Sequence, residues 1–217
     1  MNIFNAQQSG KGSALSPVEI AKYEDYADIA RLDLDAYGAE TITYDGLMEW
    51  RERYHDGAFV LKAGSRICGA LGLWPVTQAA FEKITRGELE DPDILPEHIF
   101  NASNTNRCHH WYLSDLIITE DLRKRKDCAC TTLIVQSLNE WRKNIHYKYP
   151  VSICAILLDR IAINSLKDLN FDFVGNRCFV KQINSEKELN ELHENKSDQL
   201  SRVKAKVARI NTRTREW

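Results

Sequence analysis

The segment that most constrains this chain runs from His109 to Leu157. Residues His109-His110-Trp111-Tyr112-Leu113-Ser114-Asp115-Leu116-Ile117-Ile118 read as one long strand. A basic loop, Arg123-Lys124-Arg125-Lys126, opens a helix near Lys126 whose apolar stripe is Cys130, Leu133, Ile134, Leu138 and Trp141. Pro150 then precedes a second strand, Val151 to Leu157. A strand, a crossover helix and a strand in that order pair in parallel, and parallel strands are buried on both faces. Such a chain needs helices covering a sheet.

The flanking patterns extend that sheet. Val18 to Lys22 alternates like a strand, and Tyr26, Ala30, Leu34 and Tyr37 recur at helical spacing until Gly38. A second helix is expected from Tyr44 to Tyr54, with Thr43 as its N-cap. Ala58 to Ala63 and Arg66 to Trp74 form a hairpin about Gly64-Ser65, in which Gly69 and Gly72 permit close approach by other groups. After Leu157 come a short helix (Ala162, Leu166, Leu169) and strands near Phe171 to Val174 and Cys178 to Ile183. The expected class is α/β, a mixed and mostly antiparallel sheet with one parallel β-α-β core.

The chain divides into a leader at 1–14, a domain at 15–183 with an irregular insertion at 75–106, and a helical extension at 184–217. Within the insertion only Ala79 to Thr85 has a helical pattern. A connection of that length inside a compact domain is usually a lid, a binding loop or an insertion, and here it is expected to shape the acceptor pocket. The extension opens on Ser185 and Glu188, a capping-box pair, and carries one thin stripe (Leu189, Leu192, Leu200, Val203, Val207, Ile210). That stripe requires the domain or a second copy of the chain, which leaves a homodimer open. The basic end of this helix lacks interleaved aromatics, so nucleic acid is not an expected partner.

Charge excludes little else: 29 basic and 31 acidic residues give a net charge of −2, which demands neither nucleic acid nor a membrane surface. The leader is polar, and no run approaches the ~18 apolar residues of a membrane span, so a cytoplasmic location is expected. The six cysteines agree, with Cys68, Cys154 and Cys178 inside apolar strands as free thiols.

The chemistry concentrates where the strand ending at Ile118 meets the helix. A helix start leaves backbone N–H groups unpaired and favours phosphate, and four consecutive basic residues surround this one. A solvated basic loop is the plainer reading. The stretch Arg125-Lys126-Asp127-Cys128-Ala129-Cys130, with Asp159-x-x-Ala162 and Leu169-Asn170-Phe171 downstream, resembles the GCN5-related N-acetyltransferase (GNAT) superfamily. The resemblance spans roughly residues 18 to 183. It implies a sheet whose parallel strands splay apart, with acetyl-CoA, or another acyl-CoA, as co-substrate. The pantetheine arm would lie along Leu116, Ile117 and Ile118. The pyrophosphate would be held by Arg123, Arg125, Lys126, Asp127, Cys128, Ala129, Cys130 and Thr131.

Two departures stand out. Cys128 and Cys130 replace both loop glycines, and Leu166 occupies the position of the family's frequent tyrosine acid. Cys-x-Cys lacks a zinc site's spacing, so no metal is expected. Cys128, among cations at a helix start, is instead expected to have a lowered pKa.

Acyl transfer to an amine needs a group that takes a proton and one that returns it. Asp115 is the candidate base and Tyr112 the candidate acid, with His109 and His110 in reserve. Strand alternation puts His110, Tyr112 and Ser114 on one face and Trp111, Leu113 and Asp115 on the other. A tyrosine in such a strand is more often a core aromatic with its hydroxyl satisfied, and an aspartate there can serve only to organise the splayed loop. The expected function is acetyl-CoA-dependent transfer, by direct attack, to a small-molecule or peptide amine. The alternative is a non-catalytic binding module on the same fold.

Overall fold

The computed structural model describes residues 15–38, 41–101, 108–123, 129–144, 149–157 and 159–192. In chain order the elements are β1 (Glu19–Ile20), α1 (Tyr26–Tyr37), α2 (Tyr44–Arg53), β2 (Ala58–Ala63), β3 (Arg66–Pro75), α3 (Gln78–Arg86) and β4 (His110–Ile118). There follow α4 (Glu120–Arg123), α5 (Ala129–Asn144), β5 (Val151–Ile156), α6 (Arg160–Asp168), β6 (Asp172–Gly175) and β7 (Cys178–Ile183).

Local chemistry explains most boundaries. Gly38 ends α1 at φ 71°, a conformation open to a residue without Cβ. Thr43 caps α2 as expected, its hydroxyl accepting from the Gly46 N–H at 3.2 Å. Thr77 and Asp159 cap α3 and α6 in the same way. At the extension, Ser185 accepts from the Glu188 N–H at 3.3 Å, and the Glu188 carboxylate accepts from the Asn184 N–H at 2.7 Å. The helical residues that follow, 186–192, bury Leu189 and Leu192, and Asn190 accepts from Arg142 of α5. The described start of the extension therefore lies on the domain itself; its remainder, and the leader at 1–14, lie outside the described residues.

The strands form a sheet in the order β1-β2-β3-β4-β5-β7-β6. Every neighbouring pair is antiparallel except β4 with β5. That parallel pairing joins His110–Leu113 to Ser152–Ala155 and goes no further. Beyond it β4 stays with β3, where Ile117 faces Ala70 and Ile118 faces Gly69. The two central strands thus part after Leu113, opening a notch at Leu116.

Helices cover both faces. Trp74 lies opposite Tyr112 in the sheet and packs edge-on against Trp50 of α2, ring centres 5.4 Å apart. Trp111, the neighbour of Tyr112, packs edge-on against Trp141 of α5 at 5.0 Å. Each pair contributes roughly 0.5–1.5 kcal/mol beyond the area it buries. The expected α5 stripe is buried throughout.

Three expectations are corrected. β1 is only two residues long, because the chain turns into a helical turn at Tyr23. The buried stripe of α1 is Tyr26, Ile29 and Asp33, whereas Leu34 is exposed. A short helix, α4, fills the connection after Ile118, which read as loop. The insertion is more ordered than its sequence suggests. After α3, residues Asp91–Asp93 and Pro96–His98 form single helical turns, Val76 bridges Ile99, and the Trp50 indole donates to the Ile94 carbonyl at 2.9 Å. Among the described residues no helix is long and apolar enough to cross a membrane.

Candidate functional site

The notch in the sheet coincides with a break in β4. Gly72 faces Ser114 and Ala70 faces Ile117, so Leu71 alone opposes both Asp115 and Leu116. That is a β-bulge. Asp115 takes φ 48°, a left-handed value that an aspartate tolerates better than most residues. The expected alternation fails here, because a bulge re-aims the side chains that follow it. Instead of pointing away from Ser114, Asp115 accepts from the Ser114 hydroxyl at 2.6 Å, and Ser114 accepts from the Trp74 indole at 3.0 Å. Gly72 makes this possible: a Cβ there would lie 2.2 Å from the Ser114 oxygen and 2.4 Å from the Trp74 nitrogen.

A cavity of about 540 Å³ opens at the bulge. Asp33 of α1, Asp91 of the insertion and Asp115 of β4 line it, together with Tyr37, Leu116 and Arg177. Asp33 is 1% exposed, and neither of its carboxyl oxygens has a hydrogen-bond partner among the described residues. Asp91 accepts from the Tyr112 hydroxyl at 2.6 Å. The Tyr37 hydroxyl donates to the Leu116 carbonyl at 3.1 Å, at the point where β4 has left β5. At the mouth Arg177 pairs with Glu90 at 2.6 Å.

All three carboxyls hold their protons more tightly than an ordinary aspartate. Burial is the main cause in each. For Asp33 the charges of Asp115 and then Asp91 add to it, and for Asp91 the charge of Asp115. The Ser114 hydroxyl partly offsets the rise at Asp115, and the Tyr112 hydroxyl does so at Asp91. Like charges crowded in a poorly solvated space favour the neutral form.

The residues expected at the co-substrate are built in differently. Arg123 donates to the Ile118 carbonyl at 3.0 Å and pairs with Asp159 at 2.8 Å. Ala129 and Cys130 are buried, and the Thr131 hydroxyl donates to Ser165 at 3.0 Å. Leu116, Ile117 and Ile118 are buried in β4. Arg125, Lys126, Asp127 and Cys128 lie outside the described residues. Of the two catalytic candidates, Asp115 lines the cavity and Tyr112, fully buried, meets it only through Asp91. His109 bonds the Pro150 carbonyl at 2.8 Å, and His110 rests on the Phe81 ring at 4.7 Å; neither lines the cavity.

Sequence reasoning missed Asp33, Tyr37 and Asp91. The first two left a signal. Tyr26, Ile29 or Ala30, Asp33 and Tyr37 share one helical face, so a carboxylate stands inside an apolar stripe. Asp91 left none, since only the folding of the insertion brings it to β4.

The sheet order, the single parallel pair and the splay after Leu113 make the mixed, mostly antiparallel α/β sheet with one parallel β-α-β core that the sequence led us to expect. No protein-family model and no curated protein matches the sequence. Among solved structures, a candidate acetyltransferase from Pyrococcus horikoshii is 11% identical, with a TM-score of 0.46, covering 77% of this chain and 47% of its own. The loading GNATL domain of CurA from Lyngbya majuscula is 14% identical, with a TM-score of 0.47, covering 70% of this chain and 68% of its own. The chain thus spans about half the length of the first. Likenesses this remote concern the path of the chain alone.

Proposed function

We propose that this protein is an acyl-CoA-dependent N-acyltransferase whose amine acceptor enters the cavity beside Asp115. One observation carries the reading: the bulge turns an ionisable carboxyl into a cavity at the notch where the two central strands part. An acyl thioester laid along Leu116 would present its carbonyl there. The neutral amine nitrogen attacks that carbon, forming the C–N bond, and its extra proton passes to Asp115. The C–S bond then breaks and the thiolate leaves, taking up a proton. A carboxyl whose pKa is raised toward neutrality is better matched to this task than an ordinary one. The proton that Asp115 takes from the amine is the one available to the thiolate, since the Tyr37 hydroxyl donates to the Leu116 carbonyl and burial makes it a weaker acid; Tyr112 positions Asp91.

Titration calorimetry with acetyl-CoA and with CoA tests the reading. Micromolar dissociation constants, lost on Arg125→Glu, support it; absence of binding at millimolar ligand by folded protein refutes it. One observation favours the second reading, a non-catalytic module. The Leu116 and Ile118 carbonyls, which a pantetheine arm would use, are already held by Tyr37 and Arg123. In that case Tyr37→Phe leaves acetyl-CoA binding undetectable, whereas for an enzyme it binds at least as tightly as wild type.

A further inference from the structure

We propose that the cavity selects an acceptor with two positive centres, a linear aliphatic di- or polyamine. This rests on the acyltransferase reading for its reaction, but its binding requirement is independent of catalysis.

The cavity is unbalanced. Asp33, Glu90, Asp91 and Asp115 line it, against Arg177 as the one cation among the described lining residues. Arg177 is engaged by Glu90 at the mouth, so its charge is spent there and not on the carboxyls within. Acidic groups clustered on a surface would signify nothing, because water solvates them. Asp33 is different: it is almost fully buried, lines the cavity, and has no partner for either oxygen among the described residues. A buried polar group without a partner is a defect unless something else supplies the partner.

The reaction itself fixes how many charges that partner carries. A nitrogen attacking a thioester must be neutral, so the reacting amine cannot also be the cation that balances the cluster. A second ammonium group, held by Asp33 and Asp91 while the first nitrogen sits at Asp115, satisfies both requirements. The Tyr112 hydroxyl fixes Asp91, and the Ser114 hydroxyl fixes Asp115, so two of the three carboxyls are held in place before any ligand arrives. A cavity of about 540 Å³ accommodates an extended aliphatic diamine with room to spare. Binding should also release protons near neutral pH, because a cation favours the ionised forms of carboxyls whose proton affinity burial has raised.

Calorimetry on the full chain without acetyl-CoA, using 1,4-diaminobutane, spermidine and n-butylamine, decides the matter. The expected result is that diaminobutane and spermidine bind roughly tenfold or more tightly than butylamine, since each charge-assisted contact adds about that factor. Asp33→Asn, nearly equal in size, should erase the preference. If that variant fails to fold, Asp91→Asn makes the same test. Equal affinity for mono- and diamines, or no binding of any, overturns the inference. Diamine binding without thiol release from acetyl-CoA upholds this pocket and sinks the acyltransferase reading. Acetylation of butylamine with no diamine preference does the reverse.

Discussion

The two faces of β4 differ in what they demand of their surroundings. On one face Trp111 meets Trp141 of α5, and the stripe of Cys130, Leu133, Ile134 and Leu138 closes over the sheet. Burial there removes apolar surface from water and stabilises the fold. At the other, near the bulge, three carboxyls are crowded at a cavity and one has no partner. That arrangement costs stability, so it is poorly explained as part of the scaffold. The contrast teaches where to look for function: in the region that folding alone would not have selected.

Substitutions can break this contrast from either side. The largest effect is expected at Asp115. Asp115→Asn should lower turnover by roughly 10²–10⁴-fold while leaving the circular dichroism unchanged; a loss under tenfold would remove it from the role of base. On the packed face, Trp141→Ala should cost about 3–5 kcal/mol of unfolding free energy by denaturant titration. A cost under 1 kcal/mol would mean the stripe carries little of the core.

Asp33 should behave oppositely to a core residue. Replacing it with leucine removes an unpartnered buried carboxyl and should raise stability, by about 1–3 kcal/mol if the packing adjusts. The sign with pH is fixed by the direction of its shift. The folded state keeps the Asp33 proton to higher pH than the unfolded chain, so stability is greatest below the ordinary carboxylate range and declines as pH rises through the window above it. Asp33→Asn should flatten that decline in thermal melts from pH 4 to 9; an unchanged slope would assign it to Asp91 or Asp115. The smallest effect belongs to the cap of α2, where Thr43→Ala should cost roughly 0.5–2 kcal/mol.

Much of the architecture was legible in the residues. Periodicity placed α1 at its observed bounds, and β2 and β3 with their hairpin. The capping role of Thr43 was readable because it follows from local stereochemistry; that Gly72 allows a close approach was readable too, but only the pairing of β3 with β4 brings Ser114 against it. The site was half legible. Asp115 stood out as an ionisable residue on a central strand, but its direction could not be read. Alternation assumes an unbroken pleat, and the bulge depends on how β3 pairs with β4.

By itself, then, the sequence determined the order of the main helices and strands, the parallel central pair and most of the residues that fill the core, because these depend on short-range periodicity and apolar burial. Only the tertiary structure decided that Asp33, Asp91 and Asp115, from a helix, an insertion and a strand, share one cavity. Their separation along the chain carries no trace of that meeting. It arises from the docking of α1 and the insertion against the notch, and the mutual repulsion of the three groups is tolerated because packing elsewhere offsets its cost.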